Sequence, residues 1–283
     1  GAWQASKQCQ RCREHIPNID DFTAFQTALR RKRSELQREM LADAVTSYFP
    51  SARVGNYAVY PHDGYRYWYD YFERFVEGAP HRREGRARYR QWYHEFPLTG
   101  YTCAMPVVYP WDEIWTWYDF ENGDYRWFYN MLRVGSNARE HTPREIPLIP
   151  FVHWHTVHTK GKPDERVKQL SAEKYQELLW HLLLRGHDTL FAWYPQTEAV
   201  MEIRLVHQVY AASLEYREFL EHGEPVTFDV PPGPGPVLSG LKLGDRLLLR
   251  RTDFDDRADD APLVVDGVTR SVPRVTGQCQ VIR

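Results

Sequence analysis

Four stretches of the chain set aromatic rings beside carboxylates, imidazoles or amides. They read Tyr60-Pro61-His62-Asp63-Gly64-Tyr65-Arg66-Tyr67-Trp68-Tyr69, Tyr109-Pro110-Trp111-Asp112-Glu113-Ile114-Trp115-Thr116-Trp117, His153-Trp154-His155-Thr156 and Trp193-Tyr194-Pro195-Gln196-Thr197-Glu198. Tyr and Trp join an apolar face to a polar tip, which suits half-exposed binding surfaces. A pyranose ring needs that combination, because its CH face packs on an aromatic ring while its hydroxyls need fixed donors and acceptors. Breaking a glycosidic bond needs carboxylates on either side of it, ~5–5.5 Å apart for a carboxylate nucleophile or ~6.5–9.5 Å for inversion. The acids placed for such work are Asp63, Asp112, Glu113 and Glu198. His62, His153 and His155 can bond hydroxyls or tune those acids. Tyr60, Tyr65, Trp68, Tyr109, Trp111, Trp115, Trp193 and Tyr194 supply the rings. Asp112 and Glu113 have a second reading, as caps of the turn that follows them.

The elements that must position these groups alternate. Each aromatic stretch follows or ends a strand-like run, at 52–59, 101–108, 147–153 and 188–193. Helical periodicity appears at 19–49, 125–134, 172–185 and 199–221, with Ser171 as a cap and Gly186 as a stop. Strands alternating with helices predict parallel β/α units, whose ligands bind beyond the C-terminal ends of the strands. The expected fold over residues 1–224 is therefore a partial or complete (β/α)8 barrel. A closed barrel typically takes ~250 residues, and only four strands appear, so the C-terminal half of one fits best. Composition changes near residue 224: of 10 Trp, 18 Tyr and 13 Phe, only Phe228 and Phe254 lie beyond it. Short β runs separated by Pro-Gly, Gly-Asp and Asp-Gly turns then predict a small antiparallel β-sandwich over 225–283.

Bulk properties narrow the function classes. A net charge of -2 gives no global field for nucleic acid, and none is expected as a partner. No apolar run reaches the ~20 residues of a membrane span. Gly1-Ala2-Trp3-Gln4 reads as a processed or truncated start. His153 and His155 would share one face of a strand, but no acidic third ligand lies near them in sequence, so sugar contact or core burial is the favoured reading. Cys9-Gln10-Arg11-Cys12 with His15 has no second half for a zinc site, so a local disulfide or free thiols are expected. No metal and no cofactor is expected. The basic run at 30–33 reads as a solvated helix face, and the run at 81–90 offers a contact for an acidic polysaccharide.

The order of segments resembles the second half of the hyaluronidase-like glycoside hydrolases. The likeness rests on Arg53-Val54-Gly55-Asn56-Tyr57 after a long helix, on Pro147-Leu148-Ile149-Pro150-Phe151-Val152-His153-Trp154 as a late barrel strand, and on Leu184-Arg185-Gly186-His187-Asp188-Thr189-Leu190-Phe191-Ala192-Trp193 as the last one. Leu247-Leu248-Leu249-Arg250-Arg251-Thr252-Asp253-Phe254 is similar to the sandwich appended to many bacterial glycoside hydrolases. The resemblance implies action on a polysaccharide or oligosaccharide, a secreted or periplasmic setting, and an aromatic subsite role for Tyr60, Trp111 and Trp193. That family's Asp-x-Glu acid motif lies at the end of the fourth strand, and no such motif precedes the first helix here. The resemblance therefore carries over no catalytic residue, and it implies that an N-terminal half-barrel, as a segment or a second chain, completes the fold. The alternatives are a non-catalytic carbohydrate-binding protein and a structural subunit completed by another chain.

Overall fold

The computed structural model describes residues 2–55, 96–112, 115, 118, 120–140, 142–158, 163–257 and 259–283. Tyr60, His62, Asp63, Tyr65, Trp68, Glu113 and the basic run at 81–90 lie outside these residues. The chain opens with short helices α1 (Ala2–Gln8) and α2 (Gln10–His15) and the longer α3 (Phe22–Gln37). A π-turn at Arg38–Ala42 joins α3 to α4 (Asp43–Tyr48). Next come β1 (Val107–Val108), α5 (Gly123–Glu140), β2 (Phe151–Val152), α6 (Ala172–Leu183), β3 (Phe191–Ala192), α7 (Ala199–Ser213) and α8 (Arg217–His222). The rest is β: β4 (Glu224–Pro225), β5 (Val237–Leu243), β6 (Arg246–Thr252), β7 (Ala261–Val265), β8 (Val268–Val272) and β9 (Cys279–Ile282).

The fold is mixed α/β, with one parallel sheet followed by antiparallel ones. β1, β2 and β3 lie side by side in parallel, with Val107 opposite Phe151 and Phe151 opposite Phe191. Isolated parallel bridges, Ala104 to Leu148 and Trp111 to Val157, extend the β1–β2 pairing at both ends. Among the described residues these three strands close no barrel. The strands are also shorter than the apolar runs suggest, for a chemical reason. Pro106, Pro110, Pro147 and Pro150 flank β1 and β2, and a proline has no N–H to give to a ladder. Their carbonyls still accept: Phe151 N bonds Pro106 O at 2.8 Å and Phe191 N bonds Pro150 O at 2.9 Å. Of the expected strand over 52–59, residues 52–55 form no strand, though Val54 O accepts from Thr102 N at 2.9 Å, and 56–59 lie outside the described residues.

α5 and α6 cover the sheet. Tyr125, Trp127, Phe128, Met131, Leu132, Leu178, Leu179 and Leu182 form the centre of the core with Val108 and Val152. Gly135 allows the two helices to meet, since a Cβ there would lie 2.4 Å from Leu182 Cδ2. Ser171 caps α6 by accepting from Lys174 N, and its own N–H and hydroxyl donate to Asp124 at 2.8 and 2.7 Å. Asp124 sits in the first turn of α5, so one carboxylate fixes the starts of both helices relative to each other. Gly186, at φ 82°, ends the α6 segment in a conformation that L side chains avoid.

In the C-terminal region β4, β5, β6 and β9 form one antiparallel sheet, and β7 and β8 form a hairpin. Asp266 and Gly267 turn that hairpin with φ of 52° and 76°, the two positive values a tight two-residue turn requires. β6 is buried on both faces because alternate residues serve different neighbours. Leu247 and Leu249 join Leu263, Val265 and Val272 between the sheets. Leu248 faces the helices, with Leu184, Phe219 and Leu241. Arg185, at the end of α6, is fully buried and spends its donors on Ser136 Oγ, Ser239 Oγ and the carbonyls of Phe228, Asp229 and Leu238, at 2.6–3.0 Å. Burial depresses its pKa to about 9, which leaves it charged at neutral pH.

Candidate functional site

β2 ends at Val152, and His153, Trp154 and His155 follow it directly, with a bend at His155. The rings of His153 and His155 lie on one side, with centres 5.8 Å apart, and both approach Glu198 and Glu202. Trp154 turns to the other side and donates its indole N–H to Leu170 O at 2.7 Å. On the neighbouring strand, β3 leads through Trp193 and Pro195 into a 3-10 turn and then α7. Glu198 stands at the N-cap position of α7 but makes no side-chain cap bond, so its carboxylate is not spent on the helix end. Glu202 lies one turn later on the same helix face.

These four side chains converge. Glu202 Oε1 accepts from Trp154 N at 2.8 Å and His155 N at 3.2 Å, and lies 3.1 Å from His155 Nδ1. It also lies 2.8 Å from His153 Nδ1, though without the alignment of a hydrogen bond. Glu198 Oε2 is 3.1 Å from His155 Nδ1 and 3.6 Å from His153 Nε2. Glu202 is fully buried and His153 nearly so, whereas the side chains of Glu198 and His155 are 31% and 30% exposed. Burial opposes charge on Glu202, but the His153 ring and the backbone N–H groups of Trp154 and His155 outweigh it. The Glu202 carboxyl accordingly titrates below its usual value.

An aromatic wall borders the cluster. Tyr109 is stacked between Trp111 and Trp193, with ring centres 5.6 and 5.7 Å away. Tyr109 and Trp193 both meet the His153 ring edge-on, at 6.1 and 5.2 Å. Tyr109 is buried, but Trp193 is 42% exposed. The wall thus presents one open indole, braced from behind and adjacent to the histidines and acids. Such a group can stack on an apolar ligand face, accept and donate hydrogen bonds, move a proton through Glu198 or His155, or bind a cation.

Of the residues that the sequence marks as candidates, Tyr109, Trp111, His153, His155, Trp193 and Glu198 come together here. Asp112 lies just beyond β1, next to Trp111, and its carboxylate is 3.8 Å from His158 Nδ1. Tyr194 follows Trp193 and is half-buried. Trp115 goes elsewhere: it is buried against Trp127, at 5.1 Å between rings, with the Arg126 guanidinium over its face. Glu202 is the member that sequence reasoning misses. Its local signal is an acid four residues after Glu198, and the strand pairing that sets it beneath His153 and His155 appears only in the fold. Cys9 and Cys12 are both free thiols. Among the described residues no helix is long and apolar enough to cross a membrane. Comparison of the chain with protein-family models, with curated proteins and with solved structures finds no match in any of the three.

Proposed function

We propose that this chain forms the substrate-binding face of a glycoside-hydrolase-like protein that acts on a polysaccharide. The observation that carries the reading is Trp193: exposed on one face, stacked on Tyr109 on the other, and bordered by His153, with Glu198 and His155 within the same cluster. A sugar laid across that indole would meet a reachable carboxylate and a reachable imidazole. Its place beyond the C-terminal ends of parallel strands is where such folds put their ligands. The same reading takes β1, β2 and β3 as strands of a (β/α)8 barrel and Glu198 as the proton-transferring acid.

Binding without hydrolysis is a second reading, and one observation favours it. Hydrolysis calls for two carboxylates that reach the substrate, and Glu202 is sealed from solvent beneath Glu198 and His155. The two readings separate in one assay. The chain is incubated with hyaluronan, chondroitin and xylan, and reducing ends are measured for wild type and Glu198→Gln. Release that Glu198→Gln abolishes supports hydrolysis. Retention of these polymers on the protein without release supports binding alone. Neither retention nor release on any of the three removes the proposal.

A further inference from the structure

We infer that His153, His155, Glu198 and Glu202 form a site for a divalent transition-metal ion of the zinc type. This inference goes beyond the carbohydrate reading and does not depend on it; with an ion bound, Glu198 would be a ligand and not a free proton-transferring acid.

Two imidazoles with two carboxylates suit zinc and its neighbours in the first transition row, whereas calcium and magnesium prefer oxygen alone. One candidate donor atom from each residue falls within 4.8 Å of every other; His155 Nδ1 is 3.1 Å from a carboxylate oxygen of each glutamate, and His153 approaches Glu202 through Nδ1 at 2.8 Å and Glu198 through Nε2 at 3.6 Å. Metal–ligand bonds of ~2.0–2.2 Å in a tetrahedron separate the donor atoms by roughly 3.3–3.5 Å. A small inward or outward adjustment of each side chain would bring the set to that spacing.

Three buried polar atoms in the cluster lack hydrogen-bond partners. His153 Nδ1, Glu198 Oε2 and Glu202 Oε2 are all buried without one. His153 is 2% exposed and Glu202 0%. Buried polar atoms are almost always satisfied, and a buried carboxylate in particular needs a counter-charge. A divalent cation would neutralise both glutamates while the imidazoles stay neutral, as ligands must. The outer contacts also suit a metal centre. Glu202 is already oriented by two backbone N–H groups, and supporting bonds of this kind fix ligand geometry. Glu198 and His155 lie on the solvent side, which gives the ion an entry path.

The test is a zinc titration of the whole chain against a chromophoric chelator, with no glycan present. Cys9→Ser and Cys12→Ser are introduced throughout, because the thiols of Cys9-x-x-Cys12 would bind zinc on their own account. The expected result is one zinc per chain, weakened about tenfold or more by Glu198→Gln and by His155→Ala. These are the two partly exposed members, so both variants should fold, and circular dichroism checks that they do. Cobalt(II) in place of zinc should give the intense visible absorption of a four-coordinate ion, and the same variants should lose it. No zinc bound by the chain carrying the two serines overturns the inference, as does binding that folded Glu198→Gln and His155→Ala proteins keep unchanged. The polysaccharide assay is run with and without chelator, so failure there leaves the zinc result standing, and the reverse.

Discussion

Arg250 on β6 and Glu177 on α6 form a two-pronged ion pair, with Nε to Oε2 at 2.8 Å and Nη2 to Oε1 at 2.7 Å. Both side chains are nearly sealed from solvent, at 4% and 9% exposure. Glu177 Oε2 also accepts from Thr252 Oγ1, and Thr252 in turn meets His181 Nε2 at 3.0 Å. This network fastens the β region to the helices that cover the parallel sheet.

Removing one half of such a pair leaves a buried charge alone. Glu177→Gln or Arg250→Met is therefore expected to cost about 3–5 kcal/mol. Replacing both partners by apolar residues should cost less than the sum of the single changes. Chemical unfolding of the two singles and the double checks this. Because the pair spans both regions, wild type should also unfold in one transition. Two separate transitions would show that the regions are not coupled through it.

Arg185 is expected to be less replaceable still. Its five donor contacts end on two serine hydroxyls and three backbone carbonyls, and the carbonyls cannot be removed by any substitution. Arg185→Met should cost about 3 kcal/mol or more, and Arg185→Lys only somewhat less, since an ammonium cannot reproduce the planar fork. Thermal unfolding of the two variants beside wild type measures both. A Lys variant equal to wild type would contradict the role assigned to the fork.

His187 gives a pH dependence with a definite sign. Burial depresses its pKa from 6.5 to about 3, against a hydrogen bond to Leu182 O that works the other way. The folded chain keeps this ring neutral while the unfolded chain takes up a proton below pH 6.5. Stability is then complete above that pH and declines as the pH falls toward 3. Between about pH 6.5 and about pH 4.5 the loss should be about 2–3 kcal/mol from this residue, and His181, also buried and depressed, acts in the same direction. His187→Phe should be less stable than wild type at neutral pH yet lose less on acidification. Urea unfolding at the two pH values decides it, and equal losses in both proteins would contradict it.

Glu198 and Glu202 should respond differently to the same change. Glu202→Gln disturbs the anchor of two backbone N–H groups and should cost about 1–3 kcal/mol. Glu198→Gln, partly exposed and uninvolved in the helix cap, should change stability by less than about 0.5 kcal/mol. Thermal unfolding in metal-free buffer compares them.

The site is legible in the sequence where chemistry follows local spacing. His153-x-His155 in an extended run fixes a shared face, and the rings at strand ends stand out from composition alone. Glu198 is visible because it closes such a stretch. Glu202 is not, because its importance comes from lying beneath the end of a different strand, a relation that sequence spacing does not encode. Trp115 resembles its neighbours in sequence yet packs on α5, against Trp127. The β region is easier to read, because alternation and positive-φ turns at Gly244 and Asp266-Gly267 mark hairpins directly. Apolar runs overstate the parallel strands, because they do not report the missing N–H groups of the prolines around them. Arg185 reads as an ordinary basic residue near a helix end, and nothing local announces a buried hub.

The most direct test of the carbohydrate reading is equilibrium binding of hyaluronan, chondroitin and xylan oligosaccharides to wild type and to Trp193→Ala. The exposed indole contributes little to the core, so the variant should fold as wild type does. At least one of these glycans should bind wild type, and its affinity should fall about tenfold, or ~1.4 kcal/mol, in the variant. Binding that Trp193→Ala leaves unchanged, or no binding of any of these glycans to wild type, would show that the aromatic wall at the strand ends is not a sugar platform.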